Sequence, residues 1–153
     1  MRRFINICAE IEKTVGHIYQ LLSATPYFEP KIRQMFLTLA NDEHDHAQQL
    51  DFSLRMPTDI YEDEQLLSME QAQNLLRKVE KSLKEISGQS LSLIDAVDLG
   101  IELEGDFCRI HLNNAVNFKD KNLKKMFSAM ARSEELHKQQ LLELKTKLDG
   151  LNQ

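Results

Sequence analysis

The chain of 153 residues contains no tryptophan, two cysteines, three prolines and five glycines, and it has no long apolar run. Each scarcity excludes something. Two cysteines, Cys8 and Cys108, cannot make a disulfide framework, a four-thiolate zinc site or a four-cysteine iron site, and no Cys-x-x-Cys occurs. Any metal bound here must be held by His and carboxylate. Cationic clusters are missing too: the net charge is −5 and Lys and Arg are scattered, so nucleic acid, which needs them gathered, is not an expected partner. No window approaches the ~20 apolar residues of a membrane span, and the apolar run after Met1-Arg2-Arg3 is broken at Glu10 and Glu12. The expectation is a cytoplasmic protein without membrane contact. At this length folding buries roughly two-thirds of the unfolded chain's surface, so residues 1–153 are expected to form a single domain around one core.

What is there is helical. Nothing after Pro57 is proline, and apolar residues recur at spacings of three and four rather than two. A first helix is predicted over about residues 4–23 on Phe4, Cys8, Ile11, Val15, Ile18 and Leu22, and a second over about 30–54, opening at Pro30. An amphipathic segment at 69–86 falls inside the long connection that follows and should stop at Gly88 in a C-cap position. Helices over about 91–116, apolar on most faces, and about 121–148 complete the pattern. The fold class expected is all-α: a four-helix bundle with an extra helix in the long connection. Amphipathic helices then outnumber the four that a bundle needs, and a homodimer is expected to cover the surplus face.

The second and last helices repeat one another at an offset of 91. Residues 35–50 and 126–141 agree at eight of sixteen positions, where chance alignment gives about one. The matches include Glu43 with Glu134 and His46 with His137. Around residues 10–19 and 102–111 a weaker likeness, at an offset of 92, sets Glu12 against Glu104 and Tyr19 against His111. The chain therefore reads as two helical hairpins of common design related by a pseudo-two-fold axis, and a site on that axis would have paired ligands.

Such ligands are present. In Glu-x-x-His the two side chains lie about 300° apart around the helix, hence only ~60° from alignment, and both can reach one metal. Glu43 and His46 interrupt an apolar seam between Leu39 and Leu50, as Glu134 and His137 do between Met130 and Leu141. A buried salt bridge in each hairpin is the plainer alternative. It lacks a cation, because no Lys or Arg falls in these seams, and an uncompensated buried carboxylate costs several kcal/mol. A two-metal site needs further oxygen ligands from the other two helices. Helix periodicity puts Glu12 at the edge of its apolar face and Glu10 well away; it puts Glu104 nearer the apolar centre than Glu102, on a helix whose moment is shallow. Tyr19 follows Glu12 by two turns on the same flank. Four carboxylates and two neutral imidazoles carry −4, which two divalent cations neutralise, and the oxygen-rich set suits iron or manganese, with zinc a further possibility as loaded.

At these residues the sequence resembles the rubrerythrin-like branch of the ferritin superfamily. The likeness is carried by Ala40-x-x-Glu43-x-x-His46-Ala47, by Ala131-x-x-Glu134-Glu135-Leu136-His137, and by the spacing from Glu12 to Tyr19. The resemblance implies a ferritin-like bundle holding two iron ions. It makes Glu43 and Glu134 the bridging carboxylates, Glu12 and Glu104 terminal ligands, and His46 and His137 one ligand per metal. Tyr19 becomes a phenol behind the ligands, able to hydrogen-bond one of them or pass an electron. Alignment to bacterioferritin-like helices instead selects Glu102, through Gly100-Ile101-Glu102-Leu103-Glu104-Gly105. The activity implied is reduction of hydrogen peroxide or dioxygen by ferrous iron, with a separate electron-donor protein as partner. Ferroxidase activity with iron storage is the alternative within the superfamily, and a non-catalytic metal-binding interaction module lies outside it. His17, His44 and His111 read as surface or boundary residues, with a contact of His111 to Glu104 the sharper option; Cys8 and Cys108 read as core fillers.

Overall fold

The structure is a computed structural model that describes residues 2–55 and 68–151. Five helices follow one another: α1 (Arg2–Ser23), α2 (Pro30–Ser53), α3 (Met69–Gly88), α4 (Leu93–Ala115) and α5 (Lys121–Leu151). Residues 56–67 of the long connection lie outside the described residues. None of the described helices is long and apolar enough to cross a membrane.

The helix ends follow from local chemistry. Pro30 opens α2 where a missing N–H costs nothing, and the Glu29 carbonyl accepts from the amides of Ile32 and Arg33 at 2.9 and 3.0 Å. Ser92 caps α4 by accepting from the Asp95 amide at 3.2 Å, which starts the helix two residues later than its apolar pattern. The Asp120 carboxylate accepts from the amides of Asn122 and Leu123 at the start of α5. At the end of α3 the expected glycine cap is not used. Gly88 is still helical, no glycine takes a positive φ, and the chain leaves through an extended Gln89.

Two hairpins, α1 with α2 and α4 with α5, carry most of the packing, and they meet across α2 and α5. Phe4, Phe36, Leu39, Leu50, Leu103, Phe107, Phe127 and Met130 fill the space between them. α3 lies along α1 and touches α4. It buries Ala72, Leu75 and Val79 there, and Lys78 binds Glu102 and Asp106 of α4 at 2.6 and 2.5 Å. The surplus amphipathic helix thus packs its buried residues against α1 and α4 within the chain.

The helices of the second hairpin, α4 and α5, approach one another closely at Gly100. A Cβ there would stand 2.8 Å from Leu141 Cδ1 and 3.4 Å from the Tyr19 hydroxyl, and Leu141 is itself fully buried. At Gly105 the nearest atoms are the flexible Lys138 Cδ and Cε at 4.0 Å. Alanine gains up to ~1 kcal/mol over glycine in a helix interior, whereas overpacking costs about 1–3 kcal/mol. Gly105→Ala is therefore expected to stabilise the protein and Gly100→Ala to destabilise it by about 1–2 kcal/mol. Denaturant unfolding of the two variants checks this; equal gains in both would show that the helices at Gly100 have room to move apart.

Candidate metal centre

Six polar side chains converge between the hairpins, each delivered by a helix whose remaining inward residues are apolar. α1 contributes Glu12, α2 Glu43 and His46, α4 Glu104, and α5 Glu134 and His137; all six are buried. They form two overlapping groups whose ligand atoms lie within 4.8 Å of one another: Glu12, Glu43, His46 and Glu134, and Glu43, Glu104, Glu134 and His137. Glu43 and Glu134 belong to both. Two centres sharing two carboxylates, each with one further carboxylate and one imidazole, is the pattern of a dinuclear metal site.

The pseudo-two-fold axis inferred from the repeat is visible in the distances. His46 Nδ1 is 3.1 Å from Glu134 Oε1 and His137 Nδ1 is 3.2 Å from Glu43 Oε1, each imidazole reaching across to the opposite hairpin. His46 Nδ1 lies 3.6 Å from Glu12 and His137 Nδ1 lies 3.5 Å from Glu104. Cys108 Sγ sits 3.4 Å from the Ala131 carbonyl, and at the equivalent place on α1 a Cβ on Gly16 would lie 3.4 Å from the Ala40 carbonyl.

Despite this proximity the groups do not satisfy one another. Among the described residues, every buried side-chain nitrogen or oxygen without a hydrogen bond, apart from Arg33 Nε, belongs to these six residues or to His111. Both oxygens of Glu12, Glu43 and Glu134 are among them, as are the Nδ1 atoms of both ligand histidines. Leaving one buried polar atom unpaired costs about 1–3 kcal/mol. Lone pairs that crowd together without bonding are arranged for something at their centre, and two divalent cations fit the donor set and its charge.

Without metal, protons must do the neutralising. Burial, reinforced by the Glu43 charge, pushes Glu12 well above the usual carboxylate range, and burial with the charges of Glu43, Glu104 and Glu12 does the same to Glu134. Burial also opposes the charge on Glu43, but Glu12 and the two imidazoles outweigh it and hold that carboxyl low. Burial alone would depress the histidines; the flanking carboxylates instead raise His46 to about 10 and His137 to about 11.

The position of the predicted residues is plain. Tyr19 is buried and donates to Glu104 Oε1 at 2.5 Å, with burial and then the Glu104 charge raising its phenol so that it keeps its proton. Glu102 is not in the cluster: its side chain is 61% exposed and paired with Lys78. The bacterioferritin-like choice is corrected by this placement, because residues two apart on a helix cannot share a face. His111 is also corrected. It is fully buried, and its Nε2 lies 3.4 Å from Glu12, not beside Glu104. Its position in the weaker repeat, opposite Tyr19, was the available signal. A second residue that the sequence did not single out is Asp42, whose carboxylate accepts from His137 Nε2 at 3.1 Å. His17 and His44 do lie in the surface groove between α1 and α2.

The protonation pattern has a sign. In the folded, metal-free protein His46 and His137 keep protons that the unfolded chain releases near pH 6.5, so folding stability falls as pH rises above that value towards about 10 and 11. The raised Glu12 and Glu134 slope the same way from the carboxylate range upward. His111, lowered to about 3 by burial and the His46 charge, and Glu43 act oppositely, but only below pH 6.5. The melting temperature of metal-free protein is expected to drop steadily from about pH 7 to pH 10. Binding of two divalent ions should release up to about four protons, those on Glu12, Glu134, His46 and His137. Thermal melts and indicator-dye titration measure both; a flat melting curve with no proton release would contradict the assignment.

The comparisons with known proteins agree with this geometry. A structure from Thermotoga maritima, described as a putative ferritin-like diiron-carboxylate protein, superposes with a TM-score of 0.70 at 20% identity, covering 94% of this chain and 92% of that chain. That likeness establishes the ferritin-like fold. Among curated proteins none matches the chain. The family profile described as Rubrerythrin matches residues 5–145, which include all six residues of the cluster. The chain therefore belongs to the rubrerythrin family.

Proposed function

We propose that the protein is a non-haem di-iron oxidoreductase that reduces hydrogen peroxide, or dioxygen, with ferrous iron. The observation that carries this reading is the sharing of Glu43 and Glu134 between the two ligand groups, which holds two metals as neighbours rather than as separate structural ions. Glu12 and Glu104 complete the carboxylate set, His46 and His137 give each position one nitrogen, and two iron ions are the cofactor, with manganese or zinc able to occupy the same ligands. A pair of ferrous ions supplies two electrons at one place, the number needed to convert hydrogen peroxide and two protons into two waters.

The surrounding residues suit that task. The ligands are almost wholly withdrawn from solvent, and Tyr19 fixes Glu104 through a phenol that stays protonated. The electrons that return the iron to the ferrous state are expected to come from a separate electron-donor protein.

The first test is anaerobic ferrous loading and desalting, followed by addition of peroxide. About two irons per chain are expected, one for each ligand group, and their oxidation should consume one peroxide per pair. Glu43→Ala with Glu134→Ala should retain almost none, since both positions lose their shared ligands. Tyr19→Phe should keep both irons and slow oxidation by about 10- to 100-fold. Uptake of many irons per chain in a cage-sized assembly would point instead to iron storage, and tight binding with no oxidant-dependent change would leave a structural metal bundle.

A further inference from the structure

The ligands obey the pseudo-two-fold axis, but the residues behind them do not. Behind Glu104 stands Tyr19, whose hydroxyl donates to it at 2.5 Å. Behind Glu12, at the equivalent position of α4, stands His111, with Nε2 3.4 Å from Glu12 Oε1 and Nδ1 4.0 Å from Glu134 Oε1. His111 is fully buried between the rings of Phe107 and Phe127, and neither of its nitrogens has a hydrogen-bond partner. The nearer nitrogen faces Glu12, which belongs only to the ligand group containing His46, and the other faces Glu134, which both groups share.

The substitution is matched by a change of size on the neighbouring helix. Gly100 faces Tyr19: a Cβ on Gly100 would stand 3.4 Å from the phenol oxygen. The α1 position equivalent to Gly100, at the same offset of 92, is Cys8. At equivalent positions one half of the bundle thus has tyrosine and glycine, and the other has histidine and cysteine. The imidazoles that face the metals differ in the same sense. His137 Nε2 has the Asp42 carboxylate at 3.1 Å and Ser133 Oγ at 3.5 Å, whereas His46 approaches carboxylates through Nδ1 alone among the described residues.

We infer that the two metal positions are unequal, and that His111 is the positioning residue for the weaker one. It stands to Glu12 as Tyr19 stands to Glu104, but at 3.4 Å and without a hydrogen bond, so the Glu104/His137 position fills first and the Glu12/His46 position second. Partners of this kind fix ligand orientation, and their loss costs about 10- to 100-fold in metal affinity. The inference rests on the dinuclear reading above, and it concerns this chain's own residues rather than turnover.

The test is an anaerobic titration of the metal-free protein with Co²⁺, followed by its visible absorption and by calorimetry. Wild type should bind two ions in two resolved steps separated by at least about tenfold. His111→Phe keeps the ring and removes both nitrogens; the second step should weaken by about 10- to 100-fold while the first is unchanged. Two equal steps in wild type would overturn the inference and leave the dinuclear site standing. So would a His111→Phe variant in which both steps are unchanged or weakened alike. Absence of any Co²⁺ binding would remove the dinuclear reading and this inference together.

Discussion

Four carboxylates between two apolar hairpins have to be neutralised, and the rest of the molecule is organised around that requirement. Glu12, Glu43, Glu104 and Glu134 lie beyond the reach of solvent and, among the described residues, their ion-pair contacts are with histidines, so protons or metal ions are what is left to balance them. Protons do this incompletely. They place positive charge on His46 and His137, yet the oxygens and Nδ1 atoms still find no hydrogen-bond geometry among themselves. A metal at each centre accepts several lone pairs at once, which a proton cannot do. The stiffness of the surrounding helices is part of the same design, because like charges held this close would separate if their helices were free to part.

Much of this was legible in the sequence for a physical reason. A polar residue in the apolar seam of a helix has to be explained, and two such interruptions repeated at one offset with the same residue types point to a shared axis. Glu43, His46, Glu134 and His137 were identifiable on that ground alone. Glu12 followed from periodicity, since α1 has one clear apolar face. The choice between Glu102 and Glu104 was harder because α4 is buried by the bundle on one side and approached by α3 on another, which flattens its pattern. Glu102 is satisfied by Lys78, a residue 24 positions earlier on a helix outside the bundle, and no local rule connects the two.

His111 and Asp42 were hidden for different reasons. His111 stands in a helix with apolar residues on most faces and beside the exposed Leu112, so nothing local separates a boundary histidine from one wedged between Phe107 and Phe127. Asp42 is partly exposed and lies in a polar run with Asn41, His44 and Asp45. Its importance arises from the opposite hairpin, where His137 Nε2 meets it. In both cases the signal is a contact across the axis, and sequence spacing within one helix cannot report it.

Enclosure also limits what the site can act on. The surface groove between α1 and α2 is lined by Gly16, His17, Ala40 and His44, and Gly16 sits directly over Glu43, where a Cβ would come within 3.4 Å of the glutamate's own Cβ. The backbone there is close to the cluster, but the helices are in contact and no ligand side chain is exposed by more than 9%. An organic substrate would have to part α1 from α2 to reach the carboxylates, and that would break the packing which keeps four charges together. A reactant of two or three heavy atoms does not. The burial that leaves the carboxylates without a neutralising partner thus also sets the size of what can reach them while α1 and α2 stay packed.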